Sequence, residues 1–267
     1  MTDQTATRLE IAHAAMTAQP QDDAARLRYF AALADGMLFL MLEEEAKQGM
    51  MRPRVFGLED GPVVLAYDLE ERLAEAAGGA TPYAELPGRV IAAQLAGQGI
   101  SLGINLGVAE SAYLMPPEAL DWLSTTLSLN PDELAARPVA FDPPRGLPQA
   151  LMEALDGKLA RAAGLASGAL LAAVRYEDGR KGHMLAFLDA KPEAETALAR
   201  AANVALTFSG IEAGEMDVTF LDAGSAVAQK MLRVALRFDL PIPPETAEAR
   251  PAPKAPGMDP KNPPKLR

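Results

Sequence analysis

A glycine-rich stretch over residues 96–107, AGQGISLGINLG, contains residues of the type that bind phosphate groups. Gly97, Gly99 and Gly103 have nearly the spacing of a dinucleotide-binding loop. Such a loop needs a strand before its glycines and a helix after them, because the phosphate binds at the N-terminus of that helix. The pattern here predicts the reverse order, with a helix before the glycines and a strand after them. We therefore expect no nucleotide site, and we interpret the glycines as a helix end followed by a strand with one bare face.

Residues that could act in catalysis or bind a metal are few. The chain has no cysteine, which excludes a thiolate nucleophile, a disulfide and a cysteine-ligated metal. The only histidines are His13 and His183, too few for a histidine-rich metal site, and we expect His183 to make one hydrogen bond at the start of a strand. The run Glu43–Glu45 lacks the ligand spacing of a known cation-binding loop and is interpreted as a solvated acidic turn. The sequence thus predicts no catalytic residue, no cofactor and no metal site.

One group of residues remains as a candidate interaction patch. Asn105, Gly107, Glu110 and Tyr113 lie around the end of the strand that the alternating pattern predicts over residues 100–107. Proteins of the α/β class tend to bind ligands beyond the carboxyl ends of their strands. We therefore predict that these four residues contact a partner or a ligand.

Composition and charge exclude several classes of partner. The chain has 267 residues, 49% of them hydrophobic, and a formal net charge of -11. This excess of acidic residues argues against nucleic acid and anionic lipid, because both are bound chiefly by lysine and arginine. The first residues lack a signal-peptide pattern, and the apolar runs are far shorter than the ~20 residues of a membrane span. We expect a cytoplasmic protein, and its alanine and arginine content is typical of a GC-rich bacterial genome.

Helix and strand signals alternate along the chain. Asp22 or Asp23 caps a helix that we expect to end at Gly36, and the apolar run over residues 37–42 predicts a strand covered on both faces. Asp60-Gly61 predicts the turn of a hairpin. The other expected elements are helices over residues 69–77, 148–163 and 192–208, helices that begin at Pro87 and Pro116, strands over residues 169–178, 183–189 and 216–222, and a last helix over residues 225–238.

These signals divide the chain into two small mixed α/β domains, each with a short sheet flanked by helices. We expect a flexible N-terminus over residues 1–21 with a loose helical turn around residues 9–16, a first domain over residues 22–129 and a proline-rich linker over residues 130–146. A second domain follows over residues 147–241. The last segment, residues 242–267, is rich in proline and almost without apolar residues, which predicts a disordered tail.

Several segments resemble the SseB family, the enhanced-serine-sensitivity proteins. In the first half these are FAALADGMLFLMLE, VVLAYDLEERLAEAAGGATPYAELPGRVIAAQLAG and GISLGINLGVAESAYLMPPEALDWL, which are similar to the N-terminal SseB domain. In the second half, LPQALMEAL, AAVRYEDGRKGHMLAFLD and MDVTFLD look like the C-terminal SseB domain. The resemblance implies a two-domain α/β fold. It implies no reaction, because the family has no established catalytic residues.

The residues and the resemblance together indicate a non-enzymatic cytoplasmic protein that binds a protein partner, a second copy of itself or a small molecule. Met50 and Met51 are apolar residues in a polar loop, which is a further indication of a contact surface. The alternative is a metabolite-sensing protein or an enzyme with a carboxylate-lined pocket between the domains. A deep cleft that holds a carboxylate of raised pKa would favour that alternative, whereas an exposed apolar patch would favour a protein partner.

Overall fold

The computed structural model describes residues 6–46, 50–59, 61–129, 137–209 and 216–241. The tail predicted over residues 242–267 lies outside these residues. Helices and strands are mixed throughout and form two sheets, which confirms the predicted α/β class. In the described part of the chain, every helix is too short or too polar to cross a membrane.

The first half holds a mixed sheet with the strand order β4-β1-β3-β5-β6, and β2 pairs with the first residues of β3. Strands β3 and β5 are parallel, so their carboxyl ends lie at the same edge of the sheet. The elements in chain order are α1 (Arg8–Ala18), α2 (Asp23–Asp35), β1 (Met37–Met41), β2 (Val55–Leu58), β3 (Gly61–Tyr67), α3 (Glu70–Ala77), β4 (Tyr83–Pro87), α4 (Gly88–Leu95), β5 (Ser101–Ile104), β6 (Tyr113–Met115) and α5 (Pro117–Ser128).

Helices cover both faces of this sheet. Helices α2, α4 and α5 pack on one face, where Tyr29, Leu33 and Ile104 are among the fully buried residues. Helix α3 packs on the other face and inserts Leu73 against Tyr67. The apolar run that predicted a doubly covered strand is β1, which lies between β4 and β3. The predicted hairpin is β2 and β3, although Asp60 of its turn lies outside the described residues. The helix predicted after Asp22 is α2, whose first turn Asp22 caps at the amide of Ala24.

The second half holds a sheet with the strand order β10-β9-β8-β11, and β7 also pairs with β8. Strands β9 and β10 are parallel, and the other pairs are antiparallel. Helices α6 and α7 pack on one face and α8 packs on the other. The elements in chain order are β7 (Pro138–Asp142), α6 (Gln149–Leu159), β8 (Gly168–Tyr176), β9 (Lys181–Leu188), α7 (Glu195–Phe208), β10 (Met216–Leu221), α8 (Ala226–Met231) and β11 (Leu236–Asp239).

The N-terminal segment differs from the flexible stretch predicted over residues 1–21. Residues 8–18 form α1, which packs against α2 and buries Leu9 in the core of the first half. A capping box starts the helix: the Thr7 hydroxyl accepts from the Glu10 amide, and the Glu10 carboxylate accepts from the Thr7 amide. These two hydrogen bonds pair backbone N–H groups that would bind water if the start of the helix were unfolded.

Two strands in the second half occur where the sequence predicts none. Strand β7 falls in the predicted linker of residues 130–146, of which residues 130–136 lie outside the described part, and β11 falls in the helix predicted over residues 225–238. Both pair with β8, and together with β9 they flank it along its length. Strand β8 is almost fully buried, so each of its backbone groups needs a partner. Pairing with β8 therefore determines that β7 and β11 are strands, although their own short, proline-bounded sequences do not predict it.

The two halves share one apolar core at their junction. Val204 and Phe208, from α7 of the second half, are buried in the same cluster as the residues of α2 and α5. The ring of Trp122 on α5 lies 5.5 Å from that of Phe30 and 6.0 Å from that of Phe208. Apolar packing therefore joins α7 to the first half as well as to its own sheet.

Candidate functional site

Asn105, a member of the predicted interaction patch, is a fully buried residue at the end of β5. Its side-chain oxygen accepts from the Asp68 amide at 3.1 Å, and its side-chain nitrogen donates to the Ser111 hydroxyl at 3.0 Å. Its backbone has φ 53°, a left-handed conformation that asparagine adopts more readily than most residues, and this ends the strand at Ile104. Asn105 thus joins the carboxyl ends of the parallel strands β3 and β5, and its side chain is not available to a partner.

The other three patch residues lie in different surroundings. Gly107 and Glu110 are exposed in the turn that follows Asn105. Tyr113 is half-buried, and its ring lies 5.0 Å from that of Tyr29 and 6.3 Å from that of His13. The structure therefore brings the four residues to one edge of the sheet, but only two of them are open to solvent there. Their role in contacting a partner stays a prediction.

The glycine stretch has a structural explanation in the packing of β5. Gly97 and Gly99 have φ 74° and 68°, which fits the predicted helix end after α4. A Cβ atom on Gly103 would lie 2.5 Å from Cδ1 of Leu106 and 2.8 Å from Cδ2 of Leu65. The bare face of β5 is thus filled by the chain's own leucine side chains.

A polar network extends from Asn105 to α1. The Thr7 hydroxyl and Arg72 Nη1 each donate to the Asp68 carboxylate, both at 2.6 Å, and Arg72 also pairs with Glu10. Burial opposes ionisation of Glu10, but the Thr7 amide and Arg72 outweigh it, so the pKa of Glu10 lies below its usual value. These ionic contacts hold α1 against the strand edge.

A cleft of about 500 Å³ opens between the two halves. Helices α1 and α2 form one side, and α6 and α7 form the other. Its walls are mainly alanine and other apolar residues, which include Leu9, Ala12, Ala15, Ala31, Ala150, Ala154 and Phe208. The charged residues that line it are Arg8, Arg28, Asp35, Asp68, Glu153, Lys158 and Arg161.

Asp35 binds three cations at the cleft. Lys158 Nζ lies 3.0 and 3.1 Å from the two carboxylate oxygens, Arg161 Nη2 donates at 2.6 Å, and Arg89 pairs with the same carboxylate. The side chains of Asp35 and Lys158 are only 14% and 9% exposed, whereas those of Arg89 and Arg161 are 45% and 46% exposed. We call these four residues the Asp35 cluster. It joins α2 and α4 of the first half to α6 of the second half.

The charges of the Asp35 cluster are not balanced. Burial opposes ionisation of Asp35, but Lys158, Arg161 and Arg89 outweigh it, so its pKa lies below the usual value. Burial and the two neighbouring guanidinium groups lower the pKa of Lys158 against the opposing pull of Asp35. One carboxylate therefore faces three cations, and the cluster keeps an excess of positive charge.

A second, more open cavity lies beside β7 and β9. Asp142, Arg145, Lys181 and His183 are among its lining residues. The His183 ring nitrogen lies 3.3 Å from the Arg145 carbonyl oxygen, the single hydrogen bond expected for a residue at the start of a strand. Among the described residues, no group of three or more histidine and carboxylate side chains is placed to hold a metal ion.

Sequence reasoning missed the Asp35 cluster and the cleft. Its members are separated by up to 126 residues along the chain, so no local spacing connects them. The Arg72–Asp68 pair has the helical i,i+4 spacing and could have been found from the sequence. For Asp35 the only local signal was an acidic residue at the C-terminus of α2, where the helix dipole disfavours a negative charge.

Replacing Asn105 by alanine is expected to lower the free energy of unfolding by about 2–4 kcal/mol. Two buried hydrogen bonds are lost, and alanine is strained at a left-handed backbone position. Urea denaturation measures the change, with Glu110→Ala as an exposed control that should shift it by less than about 0.5 kcal/mol. Equally small effects of both substitutions would contradict the structural role of Asn105.

Replacing Asp35 by asparagine is expected to cost about 3–5 kcal/mol of stability at neutral pH, because Lys158 stays buried without a counter-charge. The lowered pKa of Asp35 stabilises the folded wild type above the unfolded value of about 3.9, and this contribution is lost as the pH falls through the folded value. The difference between wild type and Asp35→Asn should therefore shrink on acidification. The control is Asp239→Asn, at a side chain 80% exposed in its pair with Arg237. A loss no larger than that of the control would show that the Asp35 cluster does not stabilise the junction.

One comparison with known proteins found a match, to a family model. Residues 10–122 match the family model of the SseB protein N-terminal domain, a region that runs from α1 into α5 and includes Asp35 and Asn105. Neither the curated proteins nor the solved structures gave a significant match. The likeness of the second half to the C-terminal SseB domain stays a prediction. Residues 10–122 of the chain therefore match the N-terminal domain of the SseB family.

Proposed function

We propose that this protein is a cytoplasmic, non-enzymatic binding protein and that the cleft between its halves binds a small molecule. The observation that carries this proposal is the cleft itself, with apolar walls from four helices and with Asp35, Lys158 and Arg161 among its lining residues. Its volume of about 500 Å³ falls within the usual range of small-molecule sites. Such sites combine mainly apolar walls with a few fixed polar groups, which is the composition found here.

The carboxylates at the cleft favour binding over acid–base catalysis. A general acid at neutral pH needs a raised pKa, whereas the pKa of Asp35 is lowered by its three cations. Asp68 accepts from Thr7 and Arg72, and Glu153 accepts from Gln149. Each carboxylate of the cleft thus already has a partner within the protein, which suits a structural or recognition role.

A protein partner is the second candidate, and a specific observation favours it. Met50 and Met51 are 73% and 41% exposed, a large apolar surface for two adjacent residues. Met37, 44% exposed, precedes Leu38 on β1 and also lines the cleft. Methionine side chains are flexible and suit adaptable contact surfaces. Nothing on this surface selects one partner, so the cleft remains the stronger candidate.

The proposal is tested by thermal unfolding of the full-length protein in the presence of a metabolite panel of organic acids, amino acids, nucleotides and amines. A compound at about 100 times its Kd should raise Tm by about 5–10 °C. Gly157→Leu fills the cleft: a Cβ atom there meets only Arg8 Nη2 at 3.6 Å, and leucine is a better helix former than glycine. This variant should fold normally and lose the Tm shift.

The matched control is Ala197→Leu, which adds a leucine at an exposed position of α7 and should keep the full shift. A stabilising compound that acts equally on both variants binds elsewhere and would contradict the cleft as the site. Failure of the whole panel, together with capture of a protein that Met50→Ser/Met51→Ser no longer binds, would favour the second candidate instead.

A further inference from the structure

We propose that the ligand of the cleft is a small organic carboxylate with an apolar body, whose carboxylate group binds at Arg161 and Lys158. This inference rests on the proposed function and adds the chemical class of the ligand. The charge distribution supports an anion, the donor geometry supports a carboxylate, and the walls support an apolar body.

The charge at the cleft is opposite to that of the chain as a whole. The chain has a formal net charge of -11, yet the cleft is lined by one more basic than acidic side chain, namely Arg8, Arg28, Lys158 and Arg161 against Asp35, Asp68 and Glu153. Arg89 contacts Asp35 from outside the cleft and adds a further cation. Arg28 also lines the cleft, and its ion pair with Asp22 is long, at 3.4 Å. A local excess of positive charge on an acidic protein raises the local concentration of small anions. The cluster is therefore the part of the cleft best suited to an anionic group.

The cluster still has donors for a second carboxylate. Arg161 contacts Asp35 through Nη2, and nearly half of its side chain is exposed. A guanidinium group has five N–H donors in a fixed plane, so Arg161 can bind two carboxylates at once. Lys158 has three donors and contacts the two oxygens of Asp35. Because Lys158 is buried, a charge-assisted hydrogen bond to it would be shielded from water and correspondingly strong.

The rest of the cleft has room for an apolar body. Ala12, Ala31, Ala150 and Ala154 have short side chains, and Gly157 has none, so α1, α2 and α6 leave space between them. Phe208 adds an aromatic surface from α7. An alkyl chain or a ring placed there would bury apolar surface that otherwise faces water, which contributes about 25 cal/mol per Å². A polar ligand body placed against these alanine, glycine and phenylalanine surfaces would lose its hydration without gaining hydrogen bonds to them.

The test compares three probes with the same eight-carbon body and different head groups, namely octanoate, octanol and octylammonium, below their aggregation concentrations. Binding to the full-length protein is measured by titration calorimetry and by the shift in Tm. We expect octanoate to bind most tightly, octanol more weakly and octylammonium not at all. Arg161→Gln should weaken octanoate about 10-fold to 100-fold, which is the loss of a hydrogen bond to a charged group, and should leave octanol unchanged.

The matched control is Arg175→Gln, a position 54% exposed on β8 and outside the cleft, which should leave octanoate binding unchanged. Arg161→Gln keeps Arg89 and Lys158 on Asp35, so the variant is expected to fold, and its unchanged binding of octanol would confirm this. Gly157→Leu should abolish binding of octanoate and octanol alike.

The outcomes separate the ligand class from the proposed function. Octanol or octylammonium that binds as tightly as octanoate, with loss of binding in Gly157→Leu, would overturn the carboxylate and leave the cleft as the site. Absence of binding by all three probes, with a stabilising compound found in the metabolite panel and blocked by Gly157→Leu, would overturn the ligand class alone. Absence of any compound that Gly157→Leu blocks would overturn both proposals.

Discussion

The contact between Asp35 and its three cations is the interaction on which the arrangement of the two halves depends. Asp35 is the last residue of α2, where the negative end of the helix dipole disfavours a carboxylate. Lys158 and Arg161 from the second half and Arg89 from the first offset that cost and the cost of burial. An ion pair of this kind adds little stability relative to apolar packing, but it fixes position, because a buried charge is costly in any arrangement that leaves it unpaired. The apolar part of the same junction is α7, whose Val204 and Phe208 lie in the core of the first half.

The cleft results from the positions of the Asp35 ion pairs and of the apolar contact between α7 and the first half. Phe208, Asp35, Lys158 and Arg161 all line it, and the neighbouring helices present alanine and glycine between these contacts. Small side chains leave a space where larger ones would close the junction into a continuous core. The same residues that hold the halves together therefore define the site proposed for a ligand. Asn105, by contrast, stabilises the first half alone, because its side chain connects the ends of two parallel strands.

Short-range sequence signals predicted most helices and strands of the first half but few features of the site. The Asp22 cap, the Asp60-Gly61 turn and the proline at the start of α5 are short-range signals, and each marks an element that the structure contains. Strands β4, β7 and β11 depend on partners distant in the chain, so their short segments carried no sufficient signal. The Asp35 cluster is the extreme case, because its members come from α2 and α4 of the first half and from α6 and the turn after it in the second half. Asn105 was found from its position at a strand end, but burial, which the pattern does not reveal, decides what its side chain can do.

The two halves form one unit with a cleft between them, and the fluorescence of Trp122 reports on their junction. Trp122 is the only tryptophan of the chain, and it packs between Phe30 of the first half and Phe208 of the second. The most direct measurement is urea unfolding of the full-length protein followed at the same time by Trp122 fluorescence and by far-UV circular dichroism. Coincident transitions are expected, because separation of the halves would expose their shared core. A change in Trp122 fluorescence that is complete while most of the secondary structure remains would show that the halves separate before they unfold, which contradicts a single unit.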